Sequence, residues 1–490
     1  MAGVDWFVIV LFMLLMVAIG FFSYKKVSGS KDFYVAGGKL PWWLAGISHH
    51  VSGYSGAVFV AYAGLAYTHG FSLYVWWALV IVVAVILGAF TMAPRWSRLR
   101  INYQVESPTE YLKIRYNVPT QQLMAWCGVL LKLFDVGAKW AAIGILLYVF
   151  TGIPIVYGVI ISGVVSLIYI TIGGLWADIW TDLAQFIIQM AAGFVMFFVV
   201  LSRFGGGWEG FTGIWSELPA SHAQPFLEPY TIWYVIFYFF VVFLSYNGGT
   251  WNLATRYLSS PNAKAAKKSA LLSGALYLVV PIFLFYPMWA APLILPNLED
   301  PTQSYGMLAQ ELLPAGLIGL VLAGLFAATM SMTSSDANTI SAVITRDILP
   351  VVSDKFKGLS QKESLRVARI TTFIFTFLTL IIGIQNEHFG GVLGLIISWF
   401  GALVGPISVP MLLGLFPAFK HSDSKAAFTS IIAGLFMFVV TKYLVTVPLS
   451  IEIGAPVIVS IIVFLGMGLL NRNKAVNPEV EKLVQAVSKD

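Results

Sequence analysis

The sequence predicts an all-α membrane protein of about thirteen transmembrane helices, and three observations predict it. Of 490 residues, 58% are hydrophobic and 11% charged, where a soluble globular chain carries roughly 25% charged residues; the mean hydropathy is +0.83. Apolar segments long enough for the ~20 residues that cross a bilayer as helix follow one another along the whole chain. The charges also sort by side. With the amino terminus outside and the sides alternating at each span, nearly all of the 29 Lys and Arg fall inside. Only Arg203 and Lys442 lie outside, and Lys132 and Lys139 lie within a span. Removing one helix would scramble that alternation, so the count of spans is odd.

A soluble enzyme, a disordered chain, a coiled coil and a disulfide scaffold are excluded on composition. The net charge of +6 belongs to cytoplasmic loops rather than to a nucleic-acid surface. The single cysteine, Cys127, allows neither an internal disulfide nor a zinc site.

In chain order, the lead helix covers about residues 4–24. It lacks a basic leader and a small-residue cleavage site and is read as a retained span; with the inner loop it forms a unit over 1–40. Five core spans follow near 41–68, 71–94, 120–150, 153–174 and 177–202, making a unit over 41–202. An outer loop over 203–229, rich in Gly, Trp and Pro, suits a short lid or simple packing on the surface. Five more spans near 230–257, 266–295, 314–345, 365–386 and 389–418 make a unit over 230–420. Two C-terminal spans, near 424–445 and 453–471, complete the unit 421–471. The polar tail, 472–490, suits an amphipathic helix and is too short for a kinase or sensor domain. Segments beyond 25 residues must tilt, break or project from the bilayer.

Two of these spans contain what a lipid-facing helix would not choose. The middle of the first core span holds Ser48, His49, His50, Ser52, Gly53, Ser55 and Gly56. The middle of the sixth holds Ser245, Asn247, Gly248, Gly249 and Thr250. One such stretch reads as well as close packing of small residues. Two at the same place, five spans apart, mark the interrupted first helix of each of two inverted five-helix repeats. Unwound backbone is tolerated there because it lines a cavity.

The eighth core span adds hydroxyls. Ala328, Ser331 and Ser335 share one helix face, with Ser334 beside it. Hydroxyl and carbonyl oxygens suit a hard cation such as sodium and are poor ligands for transition metals; hydroxyls bonded to their own i−4 carbonyls are the plainer alternative. Asp182 opens the fifth core span, and Asp135 and Lys139 stand one turn apart in the third. An ionisable residue at membrane depth is a functional candidate by default, while a pair at i, i+4 also reads as mutually neutralised structure. His49 and His50 are adjacent, hence on different helix faces, and no H-E-x-x-H motif occurs. They read as satisfied bundle residues, with proton carriage the alternative, and no catalytic residue or enzyme activity is expected.

Four stretches carry a resemblance to a known family: residues 30–38, SKDFYVAGG; residues 173–182, GGLWADIWTD; residues 322–331, LAGLFAATMS, with Ile344-Thr-Arg-Asp347; and residues 405–416 from Gly405-Pro to Leu413-Gly-Leu-Phe416. In this order, on these spans, the chain resembles the sodium–solute symporter family, which includes sodium–galactose, sodium–proline and sodium–sialic acid symporters. The resemblance implies a leucine-transporter-like core of five plus five inverted helices, with one helix before and two after. It also implies sodium-driven uptake by alternating access, with one or two Na+ as coupling ions. Carried over by motif, the first sodium site would use Val51, Tyr54, Ala328 and Ser331. Here the sequence departs from the family, with Met332 where Ser or Thr is common. A second sodium site found in some members maps onto Asp182, Ser331, Ser334 and Ser335, all present.

By position, the resemblance places Ser55, Val58, Trp76, Trp77, Asp135, Asn247, Thr250 and Trp251 around the substrate. Asp135 stands where sialic acid symporters carry a carboxylate-binding Arg, which counts against that substrate. Aromatic faces beside Asn, Ser and a carboxylate suit a sugar or polyol, and equally an organic cation; an amino acid or carboxylate is the further alternative. A passive channel would need no matched repeats. The expected partners are the small-molecule substrate, sodium and the bilayer, with no nucleic acid. The expected form is a functional monomer in a bacterial inner membrane, amino terminus outside and carboxyl terminus cytoplasmic.

Overall fold

The structure is a computed structural model and describes residues 1–389 and 404–488. Among the described residues, ten helices are long and apolar enough to cross a membrane. Helix α1, Gly3–Tyr24, leaves Phe7, Leu11, Leu14 and Phe21 exposed, an outer surface suited to lipid. Its one acid, Asp5, is buried and accepts the N–H groups of Gly316 and Gly319 at 2.6 and 2.8 Å. A carboxylate over orphan N–H groups is favourable at a helix start, so α1 is locked to the eighth core span.

The first core span breaks where the sequence marks it. Helix α2, Trp42–Val51, stops, a 3-10 turn follows over Gly56–Phe59, and α3 resumes over Ala61–His69. The unwound stretch is bolted down from elsewhere. The Gly56 N–H donates to Thr329 Oγ1 at 2.9 Å. Carbonyls of His50, Ser52 and Gly53 accept from Tyr277, Asn252 and Tyr246 at 2.8, 3.1 and 2.7 Å. Buried backbone released from a helix must find such partners.

Helix α4 covers Tyr74–Tyr103. Helix α5, Val118–Thr151, starts on an Asn117 cap and stops at Gly152, whose φ is +73°. Helix α6 runs over Ile155–Arg203 for 49 residues. Straight, it would reach about 73 Å at 1.5 Å per residue, more than twice the hydrocarbon thickness. It is broken at Gly174 (φ 52°, ψ −144°). The spans expected at 153–174 and 177–202 therefore join through that residue with no loop. A side chain there would meet the Phe33 ring and backbone.

The sixth core span also breaks as expected. Helix α7, Ile232–Leu244, gives way to a π-turn over Ser245–Gly249, and α8 resumes over Asn252–Leu258. Gly248 has φ +126° and Trp251 φ +68°. The Trp96 indole donates to the Asn247 carbonyl at 2.9 Å, and a Cβ on Gly248 would press into that indole. Gly248→Ala is therefore expected to destabilise the protein by about 1–3 kcal/mol, read as a lowered Tm of the purified chain; an unchanged Tm would show that the turn is not held in this conformation.

The remaining elements are α9, Ala263–Ile294; α10, Leu317–Val343; α11, Gln361–Ile384, entered through a Ser360–Glu363 capping box; α12, Gly405–Leu413; α13, Ser424–Val439; α14, Leu449–Leu470; and α15, Pro478–Ser488. Of the tenth core span, expected at 389–418, residues 390–403 lie outside the described residues. The tail helix α15 buries Val480, Leu483, Val484 and Val487, and Arg98 donates to the Val487 carbonyl at 3.0 Å. The outer loop forms a helix over Gly207–Glu217, with Trp215 against Phe71 and Trp289.

Two basic residues that sequence sorted into inner loops are instead inside the protein. Arg115 is 2% exposed and donates to the carbonyls of Gly414, Phe419 and Ser422. Arg256 is fully buried. A guanidinium carries five donors in a rigid fork and tolerates burial when acceptors surround it; a loop assignment by charge alone does not register that.

Candidate functional site

The first break, α5 and the π-turn line a cavity of about 50 Å³. Its wall is made by Gly53, Tyr54, Ser55, Ala57, Val58, Tyr62, Trp77, Asp135, Lys139, Tyr246 and Met332. Of the eight residues expected around a substrate, Ser55, Val58, Trp77 and Asp135 are here. The other four point elsewhere. Trp76 stacks on Tyr230 with ring centres 4.8 Å apart. Asn247 donates to the carbonyls of Ala84 and Phe243, Thr250 to that of Ser245, and Trp251 covers Gly128 of α5. For Asn247, Thr250 and Trp251 the physical reason is the π-turn: its wider winding and the positive φ at Gly248 and Trp251 rotate the side chains away from the face a regular helix would present. Met332 faces the cavity, which explains an apolar residue where a hydroxyl was expected. Tyr62 and Tyr246 were not legible as wall residues, since tyrosines recur throughout these spans.

Behind Asp135 and Lys139 the pair becomes a four-membered cluster. Lys132 reaches Asp135 at 2.9 Å and Asp336 at 2.6 Å; Lys139 reaches Asp135 at 2.8 Å and Asp336 at 2.6 Å. All four are at most 3% exposed. Two cations and two anions cancel, which is how such charges are tolerated in a low-dielectric interior. The missed members were within reach of pattern reading. Lys132, Asp135 and Lys139 at i, i+3, i+7 share one face of α5, and Asp336 is the one acid beside the serines of α10.

The hydroxyl face of α10 meets α2, α6 and α8 in a second buried centre. Asp182 accepts from Ser331 at 2.5 Å and from Ser48. Asp178, one turn earlier on α6, accepts from Ser335 at 2.8 Å and from Ser334. Arg256 lies between them, with Nη2 at 2.6 Å from Asp178 and 3.1 Å from Asp182. The same nitrogen lies within hydrogen-bonding distance of Ser52 Oγ at 3.0 Å and of Ser335 Oγ, so its two N–H groups are shared among four oxygens, and Nε donates to Ser48 at 2.8 Å. Asp178, Asp182, Ser331, Ser335 and Arg256 are fully buried. The structure thus gathers Asp182, Ser331, Ser334 and Ser335, and adds Asp178, Ser48, Ser52 and Arg256. Asp178 had a signal: Asp178, Asp182, Gln185 and Gln189 recur at i, i+4, i+7 and i+11, one polar stripe on an apolar helix.

The first-site candidates lie where the break meets α10. Val51 closes α2, Tyr54 follows in the unwound stretch, and Ala328 and Ser331 are buried on the facing turn. The two strands of that meeting are tied by Gly56 to Thr329 and by Ser52 to Ser335 at 3.0 Å. His49 bonds Ser273, Tyr257 and the Tyr246 carbonyl, and His50 bonds Tyr54.

The chain is similar to known proteins along most of its length. A family model described as "Sodium:solute symporter family" matches residues 33–434. The sodium/glucose cotransporter of Vibrio parahaemolyticus is 24% identical over 483 residues, covering 91% of this chain and 86% of that protein. The sodium/sialic acid symporter of Aliivibrio fischeri is 25% identical, covering 85% and 83%. Among solved structures, a Na+-coupled sialic acid symporter in a substrate-bound outward-open state superposes with a TM-score of 0.84 at 20% identity, covering 96% of this chain and 98% of that one. A nucleobase-cation-symport-1 family transporter superposes at 0.57 and 13% identity. These likenesses establish the leucine-transporter-like helical fold.

Proposed function

This chain belongs to the sodium:solute symporter family, and from that premise we infer that it imports a sugar or polyol together with sodium by alternating access. The observation that carries the substrate class is the cavity wall. Trp77, Tyr54, Tyr62 and Tyr246 offer ring faces and hydroxyls, and Ser55 and Asp135 offer hydrogen-bonding groups. Aromatic faces cover a sugar ring while a few polar groups orient its hydroxyls. The sodium/glucose relative supports the same class. One observation favours a second reading: Asp135 and Lys139 both reach the wall, so an amino acid, organic cation or carboxylate would find a charge partner there.

Sodium sits, in this reading, at Val51, Tyr54, Ala328 and Ser331, where carbonyl and hydroxyl oxygens suit a hard cation. Residues 41–202 and 230–420 act as the two inverted repeats that exchange access around the cavity. The protein works as a monomer in a bacterial inner membrane, amino terminus outside.

A thermal-shift screen of the purified chain against a solute library, in sodium and in potassium, tests the proposal. A sugar or polyol at ~100 times its Kd is expected to add about 2.7 kcal/mol, raising Tm by about 3 °C for a chain of 490 residues with an unfolding entropy of roughly 2.1 cal/mol/K per residue, in sodium only. Stabilisation confined to amines or carboxylates would replace the sugar reading with the second one. A rise that is equal in potassium would overturn sodium coupling.

A further inference from the structure

The second donor set is already holding a cation. Asp182, Ser331, Ser334 and Ser335 are the groups onto which the family resemblance maps a second sodium ion. In the structure Arg256 Nη2 touches Asp182 at 3.1 Å and Asp178 at 2.6 Å and also bonds Ser335. Each serine hydroxyl proton is committed. Ser331 donates to Asp182, Ser334 and Ser335 donate to Asp178, and Ser48 donates to Asp182 while accepting from Arg256. We propose that Arg256 is a tethered cation that takes the place of the second sodium, so that this chain binds one sodium ion per transport cycle. The proposal rests on the sodium-symport reading above.

The physical argument is competition for the same oxygens. A sodium ion between Asp182, Ser331 and Ser335 needs their lone pairs turned toward it. The guanidinium occupies the Asp182 and Ser335 oxygens, is charged at every accessible pH, and is delivered by its own helix, so it pays no translational entropy to arrive. Two carboxylates and one guanidinium leave one negative charge, and the donating hydroxyls of Ser48, Ser331, Ser334 and Ser335 are placed to stabilise it. Arg256 is anchored from behind as well: Nη1 donates to Thr255 Oγ1 at 3.1 Å, which fixes the fork toward the two acids. It acts here as a specificity-determining residue for ion number, not for the transported solute.

Equilibrium binding of radioactive sodium to the purified full-length chain, with choline as the replacing cation, reads the stoichiometry directly. The wild type is expected to bind one sodium ion per chain. Arg256→Ala is expected to bind two. Removing the arginine alone leaves two buried acids unmatched, so the companion Arg256→Ala with Asp178→Asn restores the original net charge. It keeps Asp182, Ser331, Ser334 and Ser335, and it is expected to bind two ions with a sigmoidal sodium dependence. Arg256→Lys, which keeps a tethered cation, is expected to stay at one. A wild type that binds two ions, or a folded double variant that still binds one, overturns the proposal while leaving symport intact. A wild type that binds none overturns the sodium-symport reading and this proposal with it.

Discussion

Asp336→Asn is expected to lower stability by about 3–5 kcal/mol, the range for breaking a buried ion pair by removing one partner. The carboxylate takes Nζ of Lys132 and Nζ of Lys139 at 2.6 Å each, and without it two buried ammonium groups face one carboxylate. The double variant Asp336→Asn with Lys132→Gln restores neutrality and is expected to regain most of the loss, because replacing both charges leaves no uncompensated ion. Thermal unfolding of the purified variants measures both. A single variant as stable as wild type would mean that the cluster is hydrated and not a closed charge network. The same cycle at the cavity wall separates structure from binding. Asp135→Asn with Lys139→Gln should also recover stability. If Asp135 holds the substrate's hydroxyls, that variant folds and fails to bind the solute the screen identifies. Wild-type affinity in it would assign Asp135 to the fold alone.

Ser331→Ala is expected to raise the half-saturating sodium concentration about tenfold to a hundredfold. Ser331 is the one hydroxyl shared by the proposed first sodium site and the Asp182 centre, to which it donates at 2.5 Å. Losing a buried bond to a charged partner is worth about 1.5–3 kcal/mol, and each 1.4 kcal/mol is a factor of ten in affinity. Sodium-dependent stabilisation of the purified variant gives the constant without a known substrate. An unchanged sodium dependence would remove Ser331 from the ion's coordination.

Much of this architecture is legible in the sequence, for identifiable reasons. Hydropathy along the chain reports spans because lipid demands internally bonded backbone and apolar side chains. The two breaks were legible because Ser, His, Asn and Gly at membrane depth have few uses other than lining a cavity. The serine face of α10 followed from helical periodicity alone. Cavity lining was only half legible. Ser55, Val58, Trp77 and Asp135 were placed by position, while the π-turn over Ser245–Gly249 turned Asn247, Thr250 and Trp251 to other partners, and no periodicity signals where a helix will widen by one residue.

By itself, then, the sequence determined that this is a membrane protein with two interrupted helices five spans apart and a hydroxyl-rich helix between carboxylates. Those properties are written in local composition and spacing. What only the tertiary structure decided is which charges meet. Lys132 and Asp336 are 204 residues apart, and Arg256 and Asp178 are 78 apart. Whether a buried charge is a ligand, a counter-ion or a liability depends on its neighbours within about 4 Å in a low-dielectric interior. Those neighbours come from different helices, brought together by the folding of the two halves around the breaks.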